Sequence, residues 1–443
     1  MSPLTAARIQ MEISLGFHML FAAVGMAMPV MLLIAERRWM RYGDRDALAL
    51  ARTWSKLTAV IFAVGAVSGT ALSFELGLLW PRFMEFAGPL IGTAFALEGY
   101  AFFIEAIFLG LYLYGWERLS PRAHWLCGWA VAVSGGLSGI LVLSANAWMQ
   151  DPVGFRVGAD GMPTDVRPWA ALLNPAWPLM AAHSTFSTYQ AVGFAAAGAY
   201  AWALVRRTRP DRARYHWLGL RIAMLLAVTA AIVQPVLGDL LAKRAHARQP
   251  AKLAAMEGQF VTEHGAPLRI GGLPDPEGRQ TRYALEIPGG LSFLATGDFD
   301  AEVTGLDRFP RDEWPNVIVT HLAFQVMVGA GVVMFVISLW YAGERWRQRR
   351  DTERPVSRAL LGALVFSAPL GYLALEAGWV VTEAGRQPWV IYGVMRTADG
   401  VTPVPSVWGS LAAFAALYGL LLIILVFFLR WLARQPVDVA KGA

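Results

Sequence analysis

Apolar residues in this chain run in long continuous stretches, with neither the two-residue alternation of a surface strand nor the stripe of a surface helix. Nine such stretches, each of about 20 residues or more and so long enough to cross a bilayer as a helix, fall at approximately 9–35, 52–75, 90–115, 124–148, 180–204, 217–241, 316–342, 359–383 and 407–430. A hydrophilic segment, 242–315, separates the sixth from the seventh. The pattern predicts an all-α integral membrane protein of nine transmembrane helices, divided as 1–241, a loop 242–315, and 316–443.

Composition supports this reading. Of 443 residues, 56% are hydrophobic and 16% charged, with a mean hydropathy of +0.44; soluble domains carry about 25% charged residues. Eighteen Trp and twelve Tyr suit the aromatic belts at headgroup level. The net charge of +6 does not point to nucleic acid, because the arginines sit in short loops. Arg37, Arg38, Arg41 and Arg45 follow span one; Arg206, Arg207, Arg209, Arg212 and Arg214 follow span five; Arg345, Arg347, Arg349, Arg350 and Arg354 follow span seven. The positive-inside rule then puts the N-terminus and the long loop outside and the C-terminus inside. The apolar run after Arg8 is too long for a cleaved signal, so 9–35 is read as a retained span. The single cysteine, Cys127, excludes an intramolecular disulfide, an iron–sulfur cluster and a thioether-linked haem.

Polar groups inside the spans are the candidate chemistry, since each ionisable one costs about 2.5–3.5 kcal/mol on insertion scales. Glu376 and Glu383 share a helix face in span eight, which ends in Gly385-Arg386-Gln387-Pro388-Trp389. Glu98 and Glu105 have the same seven-residue spacing in span three; they read as neutralised structural carboxyls or as a proton relay, which Ser138 could extend. His18 and His183 sit within or at the edge of spans, and His321 begins span seven. A lone intramembrane His is ordinarily a packing residue, and Met327 alone carries little weight among sixteen Met. Imidazole, thioether and carboxylates gathered in the outer half of the bundle shift the reading toward haem iron. In the loop, Lys252 and Glu257 are five residues apart; the residues leave open a surface pair or a polar substrate site.

Several separate motifs, in order, resemble subunit I of the cytochrome bd-type quinol oxidases. They are the Glu98–Glu105 segment, Trp148-Met149-Gln150-Asp151-Pro152, Lys252-Leu253-Ala254-Ala255-Met256-Glu257, and Glu376-Ala377-Gly378-Trp379 followed by Gly385-Arg386-Gln387-Pro388-Trp389. The resemblance runs from Arg8 through span nine. It implies a low-spin haem b, a high-spin haem b and a haem d, in the bacterial inner membrane. His183 and Met327 would hold the low-spin haem; His18 would ligate one of the other two, and Glu376 or Glu98 the other. Arg8 and Trp379 would lie among the haem-binding residues. Lys252, Glu257, Gly385, Arg386 and Gln387 would form the quinol site; Glu105 and Ser138 would serve proton delivery to the oxygen site. It also implies a subunit II, and a small single-helix subunit as a further candidate. The short loop resembles the branch that includes cyanide-insensitive oxidases, and Gln325 stands where many members have Arg, which would lower the low-spin potential or alter propionate pairing.

Two rivals follow from the residues. A copper–haem oxidase needs more intramembrane histidines than are present. A proton-coupled secondary transporter without haem would use the same acids, but predicts inverted repeats with broken midplane helices, and no such repeat is visible.

Overall fold

The structure, a computed structural model, describes residues 2–207, 210–349, 351, 354–404 and 407–434. The loop arginines Arg209 and Arg350 and the tail 435–443 lie outside the described residues. In chain order the helices are α1 (Pro3–Tyr42), α2 (Arg45–Leu79), α3 (Pro81–Tyr114), α4 (Pro121–Gln150), α5 (Pro168–Leu172), α6 (Trp177–Arg206) and α7 (Ala213–Arg248). There follow α8 (Pro250–Glu257), α9 (Gly290–Thr296), α10 (Val317–Arg347), α11 (Arg358–Ser367), α12 (Leu370–Ala384), α13 (Thr397–Gly400) and α14 (Val407–Arg434). Local chemistry sets their ends. Proline opens α1, α3 and α4, where its missing N–H is not needed. Side chains of Ser2, Asp44, Ser120, Asn316 and Ser357 accept the free amides that follow. Gly43, at φ 62°, takes the left-handed turn that ends α1.

Among the described residues, eight helical segments are long and apolar enough to cross a membrane. The eighth expected span is two helices broken at Pro369, with α11 ending at Ser367 and α12 beginning at Leu370. The fifth expected span, realised as α6, is thirty residues long but is not among the eight. Its many Ala, Gly, Ser and Thr side chains lower its hydropathy and let neighbours approach instead. A Cβ on Gly193 would stand 2.9 Å from the Ala227 backbone nitrogen of α7, and one on Gly371 of α12 would overlap the Ala191 backbone of α6. The helix packs on α1, α4, α7, α11 and α12.

Helices also extend beyond the expected spans. α7 continues to Arg248, so the hydrophilic segment begins as helix, and α3 starts at Pro81. The segment is not shapeless. It carries α8, α9 and two-stranded antiparallel ribbons, including 268–270 with 285–287 and 273–275 with 280–282, around small cores such as Leu253, Ala266, Leu291 and Val303. Another ribbon, 389–391 with 395–396, follows α12. Its Tyr392 N–H donates to the Met149 carbonyl at 3.0 Å, fastening it to the end of α4. At the opposite end of the bundle, Asp44 after α1 accepts from Arg38 at 2.7 Å and from Arg214 of α7 at 2.9 Å, so two of the arginine-bearing loops share that end.

Candidate functional site

His183 on α6 and Met327 on α10 each face a glycine. A Cβ on Gly238 of α7 would lie 3.7 Å from His183 Cε1, and one on Gly378 of α12 would lie 2.9 Å from Met327 Sδ. A Cβ would force Met327 to shift at Gly378, but would meet His183 in ordinary contact at Gly238. The Gln234 amide nitrogen lies 3.2 and 3.3 Å from the His183 ring nitrogens and donates to its carbonyl, while Gln234 Oε1 is buried without a partner. Two residues before Met327, Gln325 accepts from the Gly271 N–H at 2.9 Å and donates to the Arg269 carbonyl at 3.0 Å. The neutral amide thus ties the loop hairpin to α10, a task arginine, with no acceptor, could not perform in full.

Glu376 projects from α12 onto α1. A Cβ on Gly16 would stand 3.2 Å from its Oε2, and its Oε1 is buried without a partner, as is the indole nitrogen of Trp379. His18 is two residues further along α1, its Nδ1 3.0 Å from Ser68 Oγ on α2. Glu376 and His18 are therefore brought against the same stretch of α1. Glu98 lies at the middle of α3, which begins at Pro81. Ser138 of α4 donates to Glu98 Oε1 at 3.0 Å. About 10 Å along the same face, Glu105 is buried against Gly135 and Gly25, with Oε1 unpartnered.

Lys252 and Glu257 are not a surface pair. They are 9% and 4% exposed, and they leave α8 about 140° apart. Lys252 donates to Gln150 Oε1 at 3.1 Å and to the Thr382 carbonyl at 3.3 Å. Gly385 leaves room for it, since a Cβ there would lie 3.1 Å from the Lys252 side chain. Burial pushes the Lys252 ammonium down to about 7, with Arg386 adding to this and Glu383 opposing. Glu257 Oε2 is buried without a partner, and burial pushes the carboxyl up to about 7 against the pull of Arg269. Arg386 is 2% exposed, pairs with Glu383 and has a free buried Nη1. Gln387 accepts from Thr397 at 2.8 Å.

The structure adds residues around this cluster that sequence reasoning did not single out, and gives Glu383 partners. Glu383, which carries only a weak claim from the sequence, is held by Arg386 and by Asn146 at 2.7 Å. Asn146, Gln249 and Glu12 belong to the same neighbourhood; Glu12 lies in the electrostatic reach of Glu383, Arg386 and Arg8, the last of which is exposed. Gln150 was legible as part of the Trp148–Pro152 motif; the others carry no local signal. His321 is not placed as a ligand, because both ring nitrogens face backbone carbonyls, Met256 at 2.8 Å and Gly271 at 3.0 Å.

Among the described residues, no three His, Cys, Asp or Glu side chains gather to hold a metal ion by themselves. One or two axial donors seated against glycines fit haem, whose porphyrin supplies the other four ligands. The orphaned Glu376 Oε1, Trp379 Nε1 and Arg386 Nη1 are buried polar atoms of the kind a bound group satisfies.

The family described as cytochrome bd terminal oxidase subunit I matches residues 6–437. A Bacillus subtilis protein with the provisional name cytochrome bd menaquinol oxidase subunit I is 36% identical over 99% of this chain and 98% of its own. The Bacillus subtilis cytochrome bd ubiquinol oxidase subunit 1 is 32% identical over 100% of this chain and 95% of its own, and the Escherichia coli cytochrome bd-II ubiquinol oxidase subunit 1 is 28% identical over 97% and 96%. The solved bd oxidase of Geobacillus thermodenitrificans has a chain that superposes with a TM-score of 0.89 at 37% identity, covering 98% of this chain and 99% of that one. Nearly the whole length is shared, together with the helices that carry the site: the chain belongs to the cytochrome bd terminal oxidase subunit I family.

Proposed function

We propose that the chain is the haem-bearing catalytic subunit of a quinol:oxygen oxidoreductase of the bacterial inner membrane. Family membership sets aside the haem-free transporter. In this reading α6 is a ninth crossing helix, the N-terminus and the segment 242–315 are outside, and the C-terminus is inside. The observation that carries the proposal is the seating of His183 against Gly238 of α7 and of Met327 Sδ against Gly378 of α12. They would hold a low-spin haem b; His18 and either Glu376 or Glu98 would serve a high-spin haem b and a haem d, with Trp379 and Arg8 nearby. Haem, when bound, takes electrons from quinol and uses them to reduce oxygen to water.

The protein supplies protons and positions. Glu257, unpartnered and with its carboxyl raised to about 7, accepts a proton from a quinol hydroxyl and releases it outside. Lys252, its ammonium lowered to about 7, donates a hydrogen bond to the other quinol oxygen, with Gly385, Arg386 and Gln387 forming the facing wall. From the inner side, Glu105 takes up a proton and passes it toward Glu98, which Ser138 orients. Quinol protons leave outside while oxygen's protons enter from inside, so turnover contributes to the proton motive force. A subunit II completes the oxidase, and a small single-helix subunit is a further partner. Quinol-driven oxygen consumption by the purified oxidase, with ubiquinol and menaquinol analogues, tests this; failure of both to support oxygen uptake by haem-replete enzyme contradicts it.

A further inference from the structure

Two consecutive residues of α2, Ser68 and Gly69, meet the His18 imidazole. Ser68 Oγ lies 3.1 Å from the Gly65 carbonyl and 3.0 Å from His18 Nδ1. A carbonyl only accepts, and a hydroxyl has a single hydrogen. That hydrogen therefore goes to Gly65, and toward the ring the serine oxygen accepts. The ring must donate: Nδ1 carries the hydrogen and Nε2 keeps its lone pair. The Gly65 backbone also accepts a hydrogen bond from the ring, and Ser68 itself is fully buried. Gly69 seats the other side of the ring, because a Cβ there would stand 2.8 Å from His18 Cε1 and 3.4 Å from both ring nitrogens.

We propose that Ser68 and Gly69 are the positioning pair for His18, fixing the Nδ1–H tautomer and the ring seat so that Nε2 is the atom presented to iron. The proposal rests on reading His18 as a haem ligand. Iron-bound histidines almost always donate their second N–H, and outer partners of this kind typically set metal affinity by about 10–100-fold. A back-bonded serine on an apolar helix would otherwise be ordinary, and a glycine there would be plain helix packing. Here the glycine clears a polar ring and the serine faces its nitrogen.

The test compares His18→Ala, Ser68→Ala, Ser68→Thr and Gly69→Ala in the purified oxidase, reading haem content per protein and the iron–imidazole stretching frequency by resonance Raman spectroscopy. Ser68→Ala should lower that frequency and weaken haem retention by about 10–100-fold, Ser68→Thr should restore both, and Gly69→Ala should disturb both with the serine intact. The low-spin band of the His183 centre reports that each variant is folded. If His18→Ala retains full haem and an unchanged spectrum, the ligand reading itself fails. If His18→Ala loses haem while Ser68→Ala keeps wild-type frequency and content, or if Ser68→Thr behaves as Ser68→Ala, the positioning role is overturned.

Discussion

In the proposed quinol site, two buried titratable groups outside the bilayer core set the expected response to pH. Glu257 must be ionised to accept a proton, and its carboxyl is raised to about 7, so activity falls as pH drops through that value. Lys252 must be charged to donate strongly, and its ammonium is lowered to about 7, so activity falls again as pH rises. The expected kcat/KM profile for quinol is a bell near neutrality. Glu257→Gln should cost about 100-fold or more in kcat/KM at unchanged haem content, and Lys252→Arg should move the alkaline limb upward. Steady-state rates from pH 5 to 10, on the scale of this prediction, provide the check. A flat profile, or full activity in both variants, would return the two residues to a structural role. In the relay, Glu105→Gln should slow oxygen reduction while leaving quinol reduction of the haems intact, measured by stopped-flow absorbance. At this scale His18, His183 and Glu376 stood out in the sequence because ionisable groups in apolar runs are costly, whereas Met327 carried weight only through the family resemblance. Asn146 and Glu12 did not stand out, because their meaning lies in contact with Glu383 of α12, which spacing within one helix does not reveal.

Helices show both the strength and the weakness of hydropathy as a guide. Length and apolarity identified eight segments correctly, but gave their ends several residues short, since amphipathic first and last turns do not register as membrane. The break at Pro369 was hidden inside one apolar run. α6 is held by close approach and not by apolar bulk. Gly193 and Gly371 admit the Ala227 and Ala191 backbones, and backbone cannot yield as a side chain can. Gly193→Ala and Gly371→Ala should each cost about 1–3 kcal/mol by overpacking, lowering the midpoint for thermal loss of haem absorbance; unchanged midpoints for both would show that α6 packs loosely.

For the whole molecule, apolar runs foretold a helical membrane architecture, but not the folded state of the long hydrophilic segment. Its ribbons and small cores form through contacts between distant residues, such as Gln325 with Arg269 and Gly271, so a local reading sees only polar loop. These contacts tie the hairpin 268–287 to α10 two residues from Met327, and Lys252 ties α8 to the end of α12; in the proposed reading they join quinol oxidation to haem in one chain. That junction is the central claim. Its most direct test is the reduced-minus-oxidised optical spectrum of the purified oxidase beside His183→Ala and Met327→Ala variants. The low-spin haem b band should disappear in each variant while the remaining haem bands persist. Absence of haem bands in the parent protein, or a low-spin band unchanged in both variants, would contradict that claim.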